Sequence, residues 1–250
     1  MNLGRPGSWI VLGGSSAVAR AFAGEAAARG SDVILAGRDR QDLEQTAADL
    51  AIRHRIAAHV MELDAAVTET HEAFVEACWA VAKPPRQIFL AFAAMPEQEA
   101  IDGDVDLGLR AVGVTYLGAV SLLHRFARRL AADGEGRVVI LGSVAGDRGR
   151  IKNYVYGSAK AGLHTYAEGL RARLWRSGVS VTLVKPGFLD TTLTWGRPGV
   201  FLAASPEACA RACLRWADRG AETRYFPSLW WPIMAIIRAI PDRVFKRLSF

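Results

Sequence analysis

One pattern constrains this chain more than any other. Short apolar runs at residues 9–12, 33–36, 57–61, 88–92, 138–141 and 179–184 alternate with longer helical stretches at 17–29, 40–53, 70–82, 107–132 and 154–177. The runs are unbroken. That suits parallel strands covered on both faces, not strands with one wet face. Strand and helix in regular succession predict an α/β fold with a doubly wound parallel sheet. The 250 residues suit a single large domain, and 51% hydrophobic residues supply its core. The regularity fails after Pro186. A loop rich in Gly, Pro and Thr follows, then a helix over 206–219, then an aromatic and basic tail. The expected division is a Rossmann-type domain over 1–224 and a helical tail over 225–250.

Charge and cysteine content narrow the function. A net charge of +6 admits nucleic acid, an anionic membrane or an anionic substrate. Basic runs interleaved with aromatics are missing from the first two hundred residues, so nucleic acid is not expected. Three cysteines (Cys78, Cys209, Cys213) are too few for a disulfide framework, and no histidine stands near the last two. Buried thiols in a reducing compartment are expected, and no metal site. The N-terminus lacks the pattern of a secretory signal, which points to a cytoplasmic protein.

The first strand runs into "VLGGSSAVA", residues 11–19. A phosphate-binding turn needs little side chain near the pyrophosphate and a helix N-terminus aimed at it. Gly13 and Gly14 supply the tight exit, while Ser15 and Ser16 offer hydroxyls and a helix start. Ala17 and Ala19 stand where glycine is usual. Their methyls are tolerable only if φ there is negative. A plain strand-to-helix turn remains the alternative reading of this stretch alone.

Further along, Ser143 is followed by Tyr156 and, four residues later, Lys160. Residues i and i+4 share a helix face, so Tyr156 and Lys160 point into one space near the strand end that presents Ser143. A free tyrosine, with a pKa of about 10, is a poor acid–base at neutral pH. A neighbouring ammonium favours its phenolate. A serine hydroxyl can bond a reacting carbonyl. Together they suit hydride transfer to a ketone, with Tyr156 as acid, Lys160 tuning it and Ser143 orienting the carbonyl. At the end of the second strand, "VILAGRDR" has Gly37 where an NAD enzyme places an acid for the ribose. Arg38 can meet a 2′-phosphate, which favours NADP(H). NAD(H) stays open because Asp39 can reach the ribose.

Over nearly its whole length the chain resembles the short-chain dehydrogenase/reductases. The resemblance implies that Gly13, Ser15, Ser16, Ala17 and Val18 face the cofactor, with Leu12 replacing the family's threonine. It places Asp64, ending "MELD", at the adenine. It places Pro186, Gly187, Leu189 and Thr191 of "VKPGFLDT" at the nicotinamide or phosphates, and gives Lys160 the ribose. "AFAA" replaces the usual Asn-Asn-Ala-Gly, with Ala93 against the cofactor. Thr115, in "VTYLGA", aligns with the asparagine of the family's proton relay and is expected to hold the relay water less well. The helices 107–132 and 154–177 form the family's usual subunit faces, which implies a homo-dimer or tetramer.

The tail, "YFPSLWWPIMAIIRAIPDRVFKRLSF", is too short in its apolar part to span a bilayer but mixes bases and aromatics as interfacial segments do. It reads as a membrane-interface segment or as a lid. Short helices are expected, with Trp230, Trp231, Met234 and Ile237 on one apolar face beside the site. Arg238, Arg243, Lys246 and Arg247 are expected at its rim. The tail and the stretch around Tyr156 resemble a narrower group, the decaprenylphosphoryl-2-keto-ribose reductases. That resemblance implies a lipid-linked keto-pentose made by an upstream flavoprotein oxidase and reduced to the arabinose epimer. The protein would then sit at the inner membrane face. Arg148, Arg150 and Lys152 become candidates for the substrate phosphate. A soluble reductase of another ketone and a non-catalytic dinucleotide-binding module are the alternatives.

Overall fold

The computed structural model describes residues 6–191 and 202–248. Its described strands form one seven-stranded parallel sheet in the order β3-β2-β1-β4-β5-β6-β7. They are β1 Ser8–Leu12, β2 Asp32–Gly37, β3 Ala58–Glu62, β4 Arg86–Leu90, β5 Gly136–Leu141, β6 Val179–Pro186 and β7 Thr223–Phe226. Side chains alternate across a strand, so an unbroken apolar run feeds two cores at once. In β1, Trp9 and Val11 enter one core, and Ile10 and Leu12 enter the other. In β2, Val33 and Leu35 part from Ile34 and Ala36 in the same way.

Helices α1 (Ala17–Ala28), α2 (Arg40–His54) and α8 (Pro206–Asp218) cover one face. On the other lie α3 (His71–Val81), α6 (Ala119–Asp133) and α7 (Tyr154–Leu174). Two short helices, α4 (Gln98–Gly103) and α5 (Val105–Val112), follow β4. A π-helical turn, Gly113–Gly118, joins α5 to α6, so Val105–Asp133 is one helical run of 29 residues. By length and composition that run could cross a membrane. Its Leu122, Phe126 and Leu130 are instead buried against the sheet. Cys78, Cys209 and Cys213 are all buried, and burial pushes the Cys78 thiol up to about 12.

The tail is not a simple appendage. β7 pairs with the end of β6, Lys185 with Tyr225 and Pro186 with Phe226, so the expected boundary at 224/225 falls inside a strand. Beyond it, α9 (Trp230–Ala239) and α10 (Asp242–Phe245) fold back. Trp230 and Met234 are buried with Val144, Phe188, Tyr225 and Ile237 in a small third cluster. Burying two such side chains contributes roughly 1.5–3 kcal/mol each.

Candidate functional site

In an open α/β sheet the binding crevice lies beyond the C-terminal ends of the strands, where strand order reverses. Here the reversal is at β1 and β4, and one cavity of about 1460 Å³ opens there. Its lining follows the sheet order. It runs from Arg38 beyond β2, past Ser15–Val18 and Ala93, to Ser143 and Tyr156, then to Gly187, Trp230 and Ile237.

The glycine turn is tight, with the Gly13 and Gly14 N–H groups both donating to the Ala36 carbonyl. Gly13 has φ +88°, and a Cβ there would lie 2.8 Å from the Phe92 backbone nitrogen. Both the backbone conformation and the close approach demand glycine. Ser16 caps α1, its Oγ accepting the Ala19 N–H at 3.2 Å. Ala17 and Ala19 lie within α1, and neither has positive φ, so their methyls cost nothing. The open α1 N-terminus thus faces the cavity, as a pyrophosphate needs.

At the β2 end, neighbouring charges are already engaged. Asp39 caps α2 through the Asp42 N–H, Arg20 pairs with Asp42, and Arg40 pairs with Glu44. Arg38 lies exposed on the cavity lining. Asp39 lines the cavity as well and has only its Oδ1 engaged among the described residues, so Arg38 fits a 2′-phosphate while Asp39 keeps an oxygen for a ribose hydroxyl. Asp64 lines the cavity beyond β3, its Oδ1 accepting the Ala66 N–H. Pro186, Gly187, Leu189 and Thr191 line it beyond β6. The residues present therefore fit a dinucleotide.

Tyr156 and Lys160 rise from α7 one turn apart. Lys160 is buried, donates to the Leu141 carbonyl at 2.9 Å, and places its ammonium 5.8 Å from the Tyr156 ring centre. Burial lowers the Lys160 pKa to about 8, which still leaves the group charged at neutral pH. Ser143 follows β5, and its Oγ accepts the Ala145 N–H at 3.1 Å. That bond leaves the hydroxyl proton to donate elsewhere. The cavity thus gathers Ser143, Tyr156 and Lys160, as their spacing predicts.

Two expected site residues are placed otherwise. Thr115 is fully buried in the π-helical turn and lies off the cavity lining. Its Oγ1 accepts the Ala94 N–H at 2.9 Å and donates to the Ala94 carbonyl at 3.2 Å. It clips the strand exit and has no donor left for a relay water. Arg148 also lies off the lining. Its guanidinium donates to the carbonyls of Ile237, Arg238 and Ile240 and to Asp242, and stacks over Phe245. Its donors serve the carbonyls closing α9 and the Asp242 carboxylate.

Arg150 and Lys152 do line the cavity. The Arg150 Nε is buried with no partner among the described residues, and burial lowers its pKa. A buried donor of this kind is an unmet demand for an acceptor. The tail face divides: Trp230 and Ile237 line the cavity and Met234 lies beneath, while Trp231 turns outward, 63% exposed. Sequence reasoning missed Phe92, Met95, Gln98, Asp102 and Phe188 on the cavity wall. Nothing in an apolar strand exit or a two-turn helix marks them out.

Comparison with known proteins follows the same lines. The profile of the short chain dehydrogenase family matches residues 8–198. An uncharacterized oxidoreductase of Mycobacterium tuberculosis is 34% identical over 239 residues, 96% of each chain. Another from Streptomyces coelicolor is 34% identical over 250 residues, 98% of this chain and 97% of that one. Among solved structures, L-sorbose reductase from Gluconobacter frateurii, complexed with NADPH and L-sorbose, aligns with a TM-score of 0.79. That alignment has 18% identity and covers 90% of this chain and 97% of the other.

Proposed function

This chain belongs to the short chain dehydrogenase family and is an NAD(P)-dependent oxidoreductase; from that premise we propose that it uses NADP(H) to reduce the 2-keto group of a pentose carried on a polyprenyl phosphate, giving the arabinose epimer. When bound, NADP(H) supplies the hydride. The chain supplies the rest. The α1 N-terminus, which the tight turn at Gly13 leads into, would hold the pyrophosphate, and Arg38 would meet the 2′-phosphate. Tyr156 donates a proton to the developing alkoxide, Ser143 Oγ–H steadies the same oxygen, and the Lys160 ammonium supports Tyr156. NADPH in the sorbose reductase complex is consistent with this choice of nucleotide.

The observation that carries the substrate reading is the composition of the cavity wall that Tyr156 shares. Arg150, whose buried Nε has no partner among the described residues, and Lys152 line it together with apolar Phe188, Trp230 and Ile237. A substrate joining an anion to a hydrocarbon chain answers both demands. Outside, Leu229, Trp231, Ile236 and Val244 are exposed on the tail, as are Arg243, Lys246 and Arg247. This mixture suits an anionic membrane face. One observation favours the plainer reading, a reductase of a water-soluble ketone with the tail as lid: Trp230 and Met234 are buried in the fold. The exposed Leu109, Leu117 and Trp175 support a second copy of this chain as the reductase's partner.

The test couples the protein to a flavoprotein oxidase acting on polyprenylphosphoryl ribose, with NADPH supplied. Lipid-linked arabinose is the expected product. Reduction of free ketoses with no lipid-linked arabinose would hand the case to the lid reading.

A further inference from the structure

The spacing that joins Tyr156 to Lys160 runs one turn deeper. His164 is the next residue on that stripe of α7, and it is buried. Lys160 holds the Leu141 carbonyl, and His164 holds the next step of the same loop, its Nε2 accepting the Ser143 N–H at 3.4 Å. The loop is shaped around this ring. A Cβ on Gly142 would lie 2.6 Å from His164 Nε2, and one on Gly146 would lie 2.6 Å from its Cε1.

Behind the ring stands Asp147, whose side chain is buried. Its Oδ1 lies 3.6 Å from His164 Nδ1 and accepts Lys185 Nζ at 2.7 Å, while Oδ2 accepts the Tyr225 hydroxyl at 2.6 Å. These groups come from α7, from the loop after β5, and from β6 and β7. Burial, with the Lys185 and Lys160 ammoniums nearby, outweighs Asp147 and keeps the imidazole neutral. A neutral ring whose Nε2 accepts carries its proton on Nδ1, facing the Asp147 carboxylate.

We propose that His164 is a positioning residue for Ser143: by accepting the Ser143 N–H, with Asp147 orienting its ring, it fixes the backbone from which the Ser143 hydroxyl reaches the cavity. The inference rests on the reductase reading for its catalytic consequence. Displacing a reacting group by about an ångström costs on the order of a hundredfold in rate.

Glutamine mimics the Nε2 side of histidine, so His164→Gln keeps an acceptor for Ser143, and His164→Leu removes it. Two measurements decide. Hydrogen exchange at the Ser143 amide, followed by NMR on the folded protein without substrate, should quicken roughly tenfold or more in His164→Leu and stay near wild type in His164→Gln. With NADPH and the lipid-linked keto-pentose, kcat should fall about tenfold or more in His164→Leu, with NADPH affinity unchanged, and recover in His164→Gln. Should His164→Leu not fold, His164→Asn, whose amide falls short of Ser143, is expected to give the same two results. Unchanged Ser143 exchange in the variant lacking the acceptor, or equal kcat in the Leu and Gln variants, overturns the inference. If wild type does not reduce that ketone, the proposed function fails, and the exchange comparison alone decides the role of His164.

Discussion

Tyr156 offers the one proton that the proposed reduction needs from the protein. Tyr156→Phe removes it while keeping the ring on Lys160. Turnover should fall by about a hundredfold or more with NADPH affinity nearly intact, read by steady-state rates and a fluorescence titration. Arg38→Ala should weaken NADPH by roughly tenfold and leave NADH nearly unchanged, because only the former carries a 2′-phosphate. Equal losses for both nucleotides would remove Arg38 from the reading. His164 makes a prediction about pH. Burial holds its pKa at about 3 in the fold, against 6.5 for the free group. Between those values the unfolded chain binds a proton that the fold refuses. Its contribution is therefore complete above pH 6.5 and is lost as pH falls towards 3. Wild type should thus lose melting temperature more steeply than His164→Gln on acidification, and parallel curves would contradict this. Tyr156 and Lys160 were legible in the sequence because helical spacing alone puts them together. Arg148, Arg150 and Lys152 were not separable there. Three bases in one loop look alike until the carbonyls of Ile237 and Ile240 claim the first.

At the scale of elements, the tail is tied at both ends by adjacent residues of one loop. Asp147 accepts the Tyr225 hydroxyl at its base, and Arg148 closes α9 at its end. Trp230 sits where a Cβ on Gly187 would lie 1.9 Å from its Nε1. Gly187→Ala should therefore displace α9, opening residues 230–248 to proteolysis, while Arg148→Ala should loosen their C-terminal half. Protection unchanged from wild type in both variants would mean that these contacts do not hold the tail. The sequence showed α9 by its apolar content but hid β7. Four residues at a sheet edge, partly exposed, carry too little pattern to separate a strand from the tail that follows. The role of Thr115 in the π-helical turn was hidden for a related reason: its side-chain hydroxyl answers Ala94 across the fold, not a sequence neighbour.

For the whole molecule, the strand–helix rhythm was sufficient to place a parallel sheet and its crevice, because both cores draw on the same unbroken runs. Where the chain sits in a cell depends on its outer surface. The exposed Trp231 and Ile236 with Arg243, Lys246 and Arg247 should bind anionic vesicles reversibly, each base adding about 1 kcal/mol near the headgroups. Trp231→Asp with Ile236→Glu should abolish co-sedimentation while leaving NADPH binding intact, whereas vesicle binding equal to wild type would clear the tail of that role. The central claim, that Tyr156 and Ser143 serve hydride delivery to a lipid-linked keto-pentose, is tested most directly by tracing the hydride. NADPH deuterated at the transferable position is given to the wild-type protein with the oxidised polyprenylphosphoryl pentose, and the product sugar is analysed by mass spectrometry. The account predicts one deuterium on the second carbon of a lipid-linked arabinose. Unlabelled lipid-linked sugar, with NADPH left unconsumed, would contradict it.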